Sequence, residues 1–234
     1  MRGLFGILRG SPMVMAGAII VAVMISAAVL APVLAPYDPY ALAGDSLESP
    51  SGSHLLGTNN VGQDLLSQLI WGARESLFVA LAGAAAAVAA AIAIGVAPEV
   101  AGGWAALIAS RGIDLLLAIP GLPLVLLVAT LAGPNRAVMV AVIALAGAPA
   151  MARVLAVQTR TLRRRGFISA ATGMGAGPGY LVRRHLVPGL GPLLVTRFVE
   201  WAGIAVLLQA GLAFLGLSDP TGVSWGLMLN RATE

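Results

Sequence analysis

Long apolar runs broken by short polar segments set the pattern of this chain. No charged residue occurs between Arg9 and Asp38, between Glu75 and Glu99, or between Asp114 and Arg136. Each gap is longer than the roughly 20 residues that cross a bilayer as a helix. A fourth apolar stretch follows Arg136 to about Gln158, and a fifth runs from about Leu193 to Leu217. The pattern predicts five spanning helices. Arg153 falls near the end of the fourth, from where its side chain would snorkel to the interface. Arg2 and Arg9 could open a cleavable signal peptide, but Met13 to Ala35 is longer than the roughly 7 to 15 apolar residues of such a signal. A retained anchor is expected.

The polar segments carry their own patterns. Residues 36–53 are rich in Pro, Ser, Gly and acid and predict a loop. From Gly57 to Leu77, Leu65, Leu66, Leu69, Ile70, Ala73 and Leu77 recur at helical spacing, with Asp64, Gln68 and Glu75 off that stripe. This predicts an amphipathic helix lying on the outer face, with Trp71 at headgroup depth. The alanine-rich second span, about 77–97, should sit inside the bundle, because small residues let helices approach closely in lipid. Pro98 to Gly112 is expected to be a short connection. Pro120 and Pro123 should kink the third span, and Pro134-Asn135 should close a turn. Between about 159 and 189, Ser169 is predicted to cap a short helix. Gly173, Gly175, Gly177, Pro178 and Gly179 break it, and a second piece, Tyr180 to Leu186, should end at Pro188. Two short helices around a glycine turn make a docking element for a partner.

Composition reinforces the membrane reading. Apolar residues make up 59% and charged residues 10%, with a mean hydropathy of +0.92, whereas soluble domains carry about a quarter charged residues. Charge orients the chain. With the N-terminus inside, Arg2, Arg9, Arg111, Arg153, Arg160, Arg163, Arg164, Arg165, Arg183, Arg184 and Arg197 fall on the cytoplasmic side, leaving Arg74, Arg136 and Arg231 outside. The net charge of +4 therefore belongs to cytoplasmic loops, and no nucleic acid is expected as a partner. Cysteine is absent, which excludes disulfides and thiolate metal sites. Lysine is absent too, which excludes a phosphate-binding Walker A loop. Gly173-x-Gly175 begins a dinucleotide fingerprint, but Pro178 stands where the next glycine is required and no strand precedes it.

The segment Ser169-Ala170-Ala171, then Gly175, then His185-Leu186-Val187-Pro188 resembles the Glu-Ala-Ala loop of ABC importer permeases. A second set, Leu56-Gly57-Thr58-Asn59, Gly62, Asp64, Leu66-Ser67 and Gly72-Ala73-Arg74 with Ser76-Leu77, is similar to the C-type permease of the dipeptide/oligopeptide/nickel group. Gly102-Gly103, Arg111, Asp114 with Ile119-Pro120, Phe214-Leu215-Gly216-Leu217 and Ser224-Trp225-Gly226 also fit. Three departures stand out. Ser169 replaces the loop's usual acid, Gln63 and Gln68 stand where arginines are usual, and members of the group continue after Gly226 into a further spanning helix.

The resemblance implies an all-α membrane protein of about five spans with a coupling loop. Residues 1–72 would form an anchor helix and extracytoplasmic loop, and residues 73–234 the permease transmembrane domain. It implies a multi-pass protein of the bacterial inner membrane, N-terminus cytoplasmic, that forms a translocation path with a second permease. Two cytosolic ATPases would drive it, and an extracytoplasmic binding protein would deliver a peptide, a related small solute, or nickel or another metal chelate. ATP hydrolysis belongs to the partners, and no cofactor is expected. A non-transporting or truncated assembly partner is the rival reading, supported by the early C-terminus. A secondary transporter would need inverted repeats and ionisable residues at the midplane, and neither is evident. Arg197 and Glu200, three apart in the fifth span, are expected to pair locally, with a role at the translocation path or the partner permease as the alternative. Arg111 and Asp114 are likewise expected to form a structural pair, with substrate contact by Asp114 as the alternative. His54 and His185 fall on opposite faces, so they hold no shared metal, and His185 is assigned to the docking surface.

Overall fold

A computed structural model describes residues 12–233, which are helical apart from loops and one isolated bridge, Thr58 to Asp64. The helices are α1 (Pro12–Val29), α2 (Ala31–Leu34), α3 (Leu65–Gly95), α4 (Ala97–Ala101), α5 (Gly103–Ala118), α6 (Gly121–Ala132), α7 (Arg136–Arg163), α8 (Gly166–Gly173), α9 (Pro178–Leu181), α10 (Val187–Gly189), α11 (Gly191–Phe214) and α12 (Trp225–Arg231). A π-helical turn, Val182–Leu186, joins α9 to α10. Four stretches are long and apolar enough to span a membrane: Pro12–Val29, Leu65–Ala101, Arg136–Arg163 and Gly191–Phe214. α5 and α6 together pass the same test but are bent by 88°. Counting that pair as one broken span gives the expected five. Arg2 and Arg9 lie outside the described residues.

The bend has a local cause. Proline clashes with a preceding residue in helical conformation, and Ile119 is extended, at φ −85° and ψ 129°. Pro120 therefore ends α5 outright instead of kinking one helix. Pro123 is harmless, because it occupies the first turn of α6, where amides have no intrahelical partner anyway.

The chain forms two compact units. The first comprises residues 12–78, 213–216 and 220–233. Its surface-helix expectation is corrected: residues 57–64 are not helical, and the stripe from Leu65 onward is the start of the continuous helix α3. At 31 residues and about 1.5 Å per residue, α3 is longer than the roughly 30 Å hydrocarbon layer. Its first turns therefore carry a polar face. The preceding loop covers that face at Ser67 and Gln68, which are almost inaccessible, while Leu69 is 44% exposed. The Gln68 amide donates to the Pro39 carbonyl (3.1 Å) and to Gln63 (2.7 Å), Asn59 donates to Gln63 (2.9 Å), and Gln63 donates to the Tyr40 carbonyl (3.0 Å). The neutral amides of Gln63 and Gln68, the noted departures from arginine, knit the loop. Trp225, at the start of α12, seats on Gly72. Its indole donates to the Leu69 carbonyl (3.0 Å), and its backbone amide donates to the Ser76 hydroxyl (3.2 Å).

The second unit, residues 79–212 and 217–219, is built around α7. Ala80, Ala84, Ala87 and Ala91 of α3 are completely buried, at spacings of three and four that place them on one face. The alanine-rich helix does sit inside. Gly83 and Gly95 face Ile143 and the Ala152 backbone of α7 so closely that a β-carbon would collide. Likewise Gly147 holds the Trp201 ring of α11, whose indole donates to the Ile143 carbonyl (3.3 Å). Close approach of backbones is how helices gain dispersion energy where lipid competes for apolar contact.

Candidate functional site

The segment between α7 and α11 folds as two short helical pieces around a turn. Ile168 and Ala171 of α8, Leu181 of α9 and Leu186 of the π turn are buried in one apolar cluster with Val96, Val100 of α4 and Leu155 of α7. The same pieces leave Ser169, Ala170, Met174 and Gly175 exposed. An exposed small-residue face over a fixed apolar underside is a surface that another chain can grip.

Ser169 does not cap α8. The helix begins at Gly166, Arg165 is its extended N-cap residue, and Ser169 lies one turn in, its amide bonded to the Arg165 carbonyl at 3.2 Å. The early start follows from Arg165 being free to extend after α7 ends, which leaves the GFI triplet to join the helix. Gly175 ends the element. Its φ is +86°, and nothing lies within 4 Å of where a β-carbon would be, so the glycine is required for conformation and not for space. The Ala176 amide bonds the Ala171 carbonyl (3.0 Å) and the Gly175 amide bonds the Thr172 carbonyl (3.0 Å). This is a Schellman motif, which satisfies the last carbonyls of the helix.

Pro188 does not end the second piece either. A proline clashes with the carbonyl four residues back, here Arg184, and the helix escapes by widening. The Val187 amide reaches the Val182 carbonyl, five residues back, and helix continues through Pro188 to Gly189. His185 lies in this widened turn, half-buried, with its ring 5.5 Å from Tyr180 and 6.1 Å from Phe167. It joins the two helical pieces through aromatic packing. Phe167 and Tyr180 were not singled out from sequence; their spacing around the glycine turn carries no periodic signal.

The charged pairs fall differently from the sequence expectation. Arg197 donates to Glu200 at 2.8 Å. Asp114, however, pairs with Arg153 of α7, which also donates to the Ser110 hydroxyl (3.2 Å), while Arg111 is exposed. Three residues along α5 would allow Arg111 to reach Asp114, but packing of α5 on α7 offers Arg153 first. Arg153 is thus an ion-pair partner instead of a snorkelling one. Unforeseen was Glu99 of α4, which receives two bonds from the Arg160 guanidinium, both 2.7 Å, while Arg163 donates to the Glu99 carbonyl oxygen. A lone acid closing a 23-residue uncharged run, in a chain whose arginines cluster again only from Arg153 to Arg165, is the signal that could have found it.

In the first unit, Asp64 caps α3, accepting from the Ser67 amide (2.8 Å) and hydroxyl (2.7 Å), and meets His54 Nδ1 at 3.0 Å. Burial alone would raise its pKa, but the Ser67 and His54 bonds outweigh that and hold the carboxyl below its ordinary value. His54 is buried against Tyr37 and His185 belongs to the other cluster, so each histidine is a packing element of its own unit.

Residues 87–232 match the family described as binding-protein-dependent transport system inner membrane component. Residues 4–55 match the N-terminal transmembrane domain of oligopeptide transport permease C. A Brucella suis biovar 1 protein named as a peptide permease is 36% identical over 92% of this chain and 72% of its own length. A glutathione transport system permease of Pectobacterium atrosepticum is 32% identical over 93% of this chain and 73% of its own length. A dipeptide transport system permease of Alkalihalophilus pseudofirmus is 30% identical, over 100% of this chain and 77% of its own length. With its apolar helices, its C-type N-terminal segment and a match across most of its length, the chain belongs to the binding-protein-dependent inner-membrane components, the permeases of ABC importers.

Proposed function

We propose that this chain forms part of the translocation path for small peptides and takes its drive from cytosolic ATPases through residues 164–190. The observation that carries the reading is the fold of that segment: a fixed apolar underside on α4 and α7, an exposed Ser169–Ala170 face, and a glycine turn at φ +86°. In this reading the N-terminus and the segment are cytoplasmic, since Arg164, Arg165, Arg183 and Arg184 cluster in its sequence. A second permease completes the path, and a binding protein delivers cargo from outside. Peptide cargo rests on the names of the relatives. Ser169, Ala170, Ala171, Gly175, His185 and Pro188 are the coupling residues. Ser169 and Ala170 meet the ATPase, Gly175 sets the turn, and His185 and Pro188 fix the second piece. Arg197, Glu200 and Asp114 support the bundle as ion-pair members.

The test is Gly175→Val in the complex reconstituted in proteoliposomes. A β-branched side chain in left-handed backbone costs about 1–2 kcal/mol, enough to redirect the turn without unfolding the spans. ATPase stimulation by loaded binding protein should fall to the basal rate while membrane insertion and assembly persist. Unchanged stimulation would remove the loop from the coupling path.

A further inference from the structure

The Glu99 cluster goes beyond that reading while resting on it. α4 prolongs α3 into one 37-residue stretch and stops at Gly102 and Gly103, both with positive φ (+72° and +53°) and open space around a β-carbon. Two consecutive positive-φ glycines set a sharp backbone break between α4 and α5, whereas the single residue Val96 separates α4 from α3. The tip so defined is held on the other side. The Glu99 side chain is 8% exposed, and the guanidinium of Arg160 meets both its oxygens through Nε and Nη2 at 2.7 Å each. Such planar two-point contacts fix orientation as well as distance. Arg163 adds a bond to the Glu99 carbonyl oxygen. α9 packs on α4, and Val96 and Val100 share the cluster that buries Ile168, Ala171 and Leu181.

We infer that Glu99 is a positioning residue for coupling: its carboxylate, forked by Arg160, ties the tip of α4 to the end of α7 beneath the loop, so that movement of the loop is delivered to two spanning helices together. A carboxylate inside an otherwise arginine-bearing region fits this role and no surface role, because it is buried while Arg160 is half-exposed at 52%. Without the fork, α4 keeps the Arg163 bond to the Glu99 carbonyl oxygen and its apolar contacts beneath the loop, and neither fixes its orientation against α7 as a two-point contact does.

Two readouts test it, both in the assembled complex. Because the chain has no cysteine, spin labels at Ala101→Cys and Thr161→Cys report the distance between α4 and α7 cleanly. Glu99→Gln should broaden that distribution and lower stimulation by loaded binding protein about three- to tenfold, with basal ATPase rate, KM for ATP and assembly unchanged. Arg160→Gln should match it, and Arg160→Lys, which keeps the charge but not the fork, should fall between. A narrow distribution with full stimulation in Glu99→Gln overturns the inference. So does loss of assembly or of basal rate in both Glu99→Gln and Arg160→Gln, which would make the pair merely structural. If Gly175→Val uncouples the complex and Glu99→Gln does not, this inference alone fails. If neither uncouples it, the loop assignment fails as well.

Discussion

Single residues in this chain act through what they make impossible for their neighbours. Asp64 is the clearest case, because its two oxygens satisfy the Ser67 amide in the first turn of α3, the Ser67 hydroxyl and His54 at once. Asp64→Ala should cost about 1–3 kcal/mol, the range for leaving buried donors unpaired, and should expose residues 36–64 to proteolysis. The lowered pKa gives this a pH dependence. A carboxyl held below its unfolded value of about 3.9 adds stability at all pH values above that, and the contribution is lost as pH falls through the lowered native value. Proteolytic protection of the loop should therefore hold from neutral pH down to about 4 and drop below it, and Asp64→Asn should flatten that drop. The residue was legible as part of a motif but its use was not. Sequence places Asp64 off an apolar stripe, and nothing local says that residues 36–64 fold back to cover the polar side.

Among elements, the long apolar helices were legible because their length alone exceeds what a bilayer demands, and the alanine face of α3 because small residues are spaced at helical period. Helix ends were less so. Pro120 breaks where a kink was expected, whereas Pro188 is absorbed into a widened turn where an end was expected. Both outcomes depend on the neighbouring residues: Gly121 and Pro123 can begin a new helix after an extended Ile119, but Leu181, just before the π turn, and Leu186, its last residue, are anchored in the core. Helix pairing was not legible at all. Gly147 and Trp201 are far apart in sequence, yet a β-carbon at Gly147 would lie 2.3 Å from the Trp201 ring. Gly147→Leu should push α11 off α7, lower stability by about 1–3 kcal/mol as overpacking does, and change the emission of Trp201. An unaltered melting temperature in detergent with unchanged emission would place the two helices apart.

For the molecule as a whole, spans and family were readable from charge-free runs and short motifs, while the ion pairs between helices were not. The Glu99–Arg160 fork joins residues 61 apart in sequence, and Asp114 finds its partner 39 residues away in place of the arginine three residues before it. Such pairings follow from which helices pack, and packing is decided by glycines and alanines that carry no charge signal. The central claim is that the exposed face of α8 and its turn meets ATPases in the cytoplasm. Met174, 82% exposed at the end of α8, allows the most direct measurement in a chain without cysteine: labelling of Met174→Cys by a membrane-impermeant maleimide. The account predicts no labelling in intact cells, labelling in inside-out vesicles stripped of ATPase, and protection when the ATPase is restored. Labelling from the outside of intact cells, or equal labelling with and without ATPase, would contradict it.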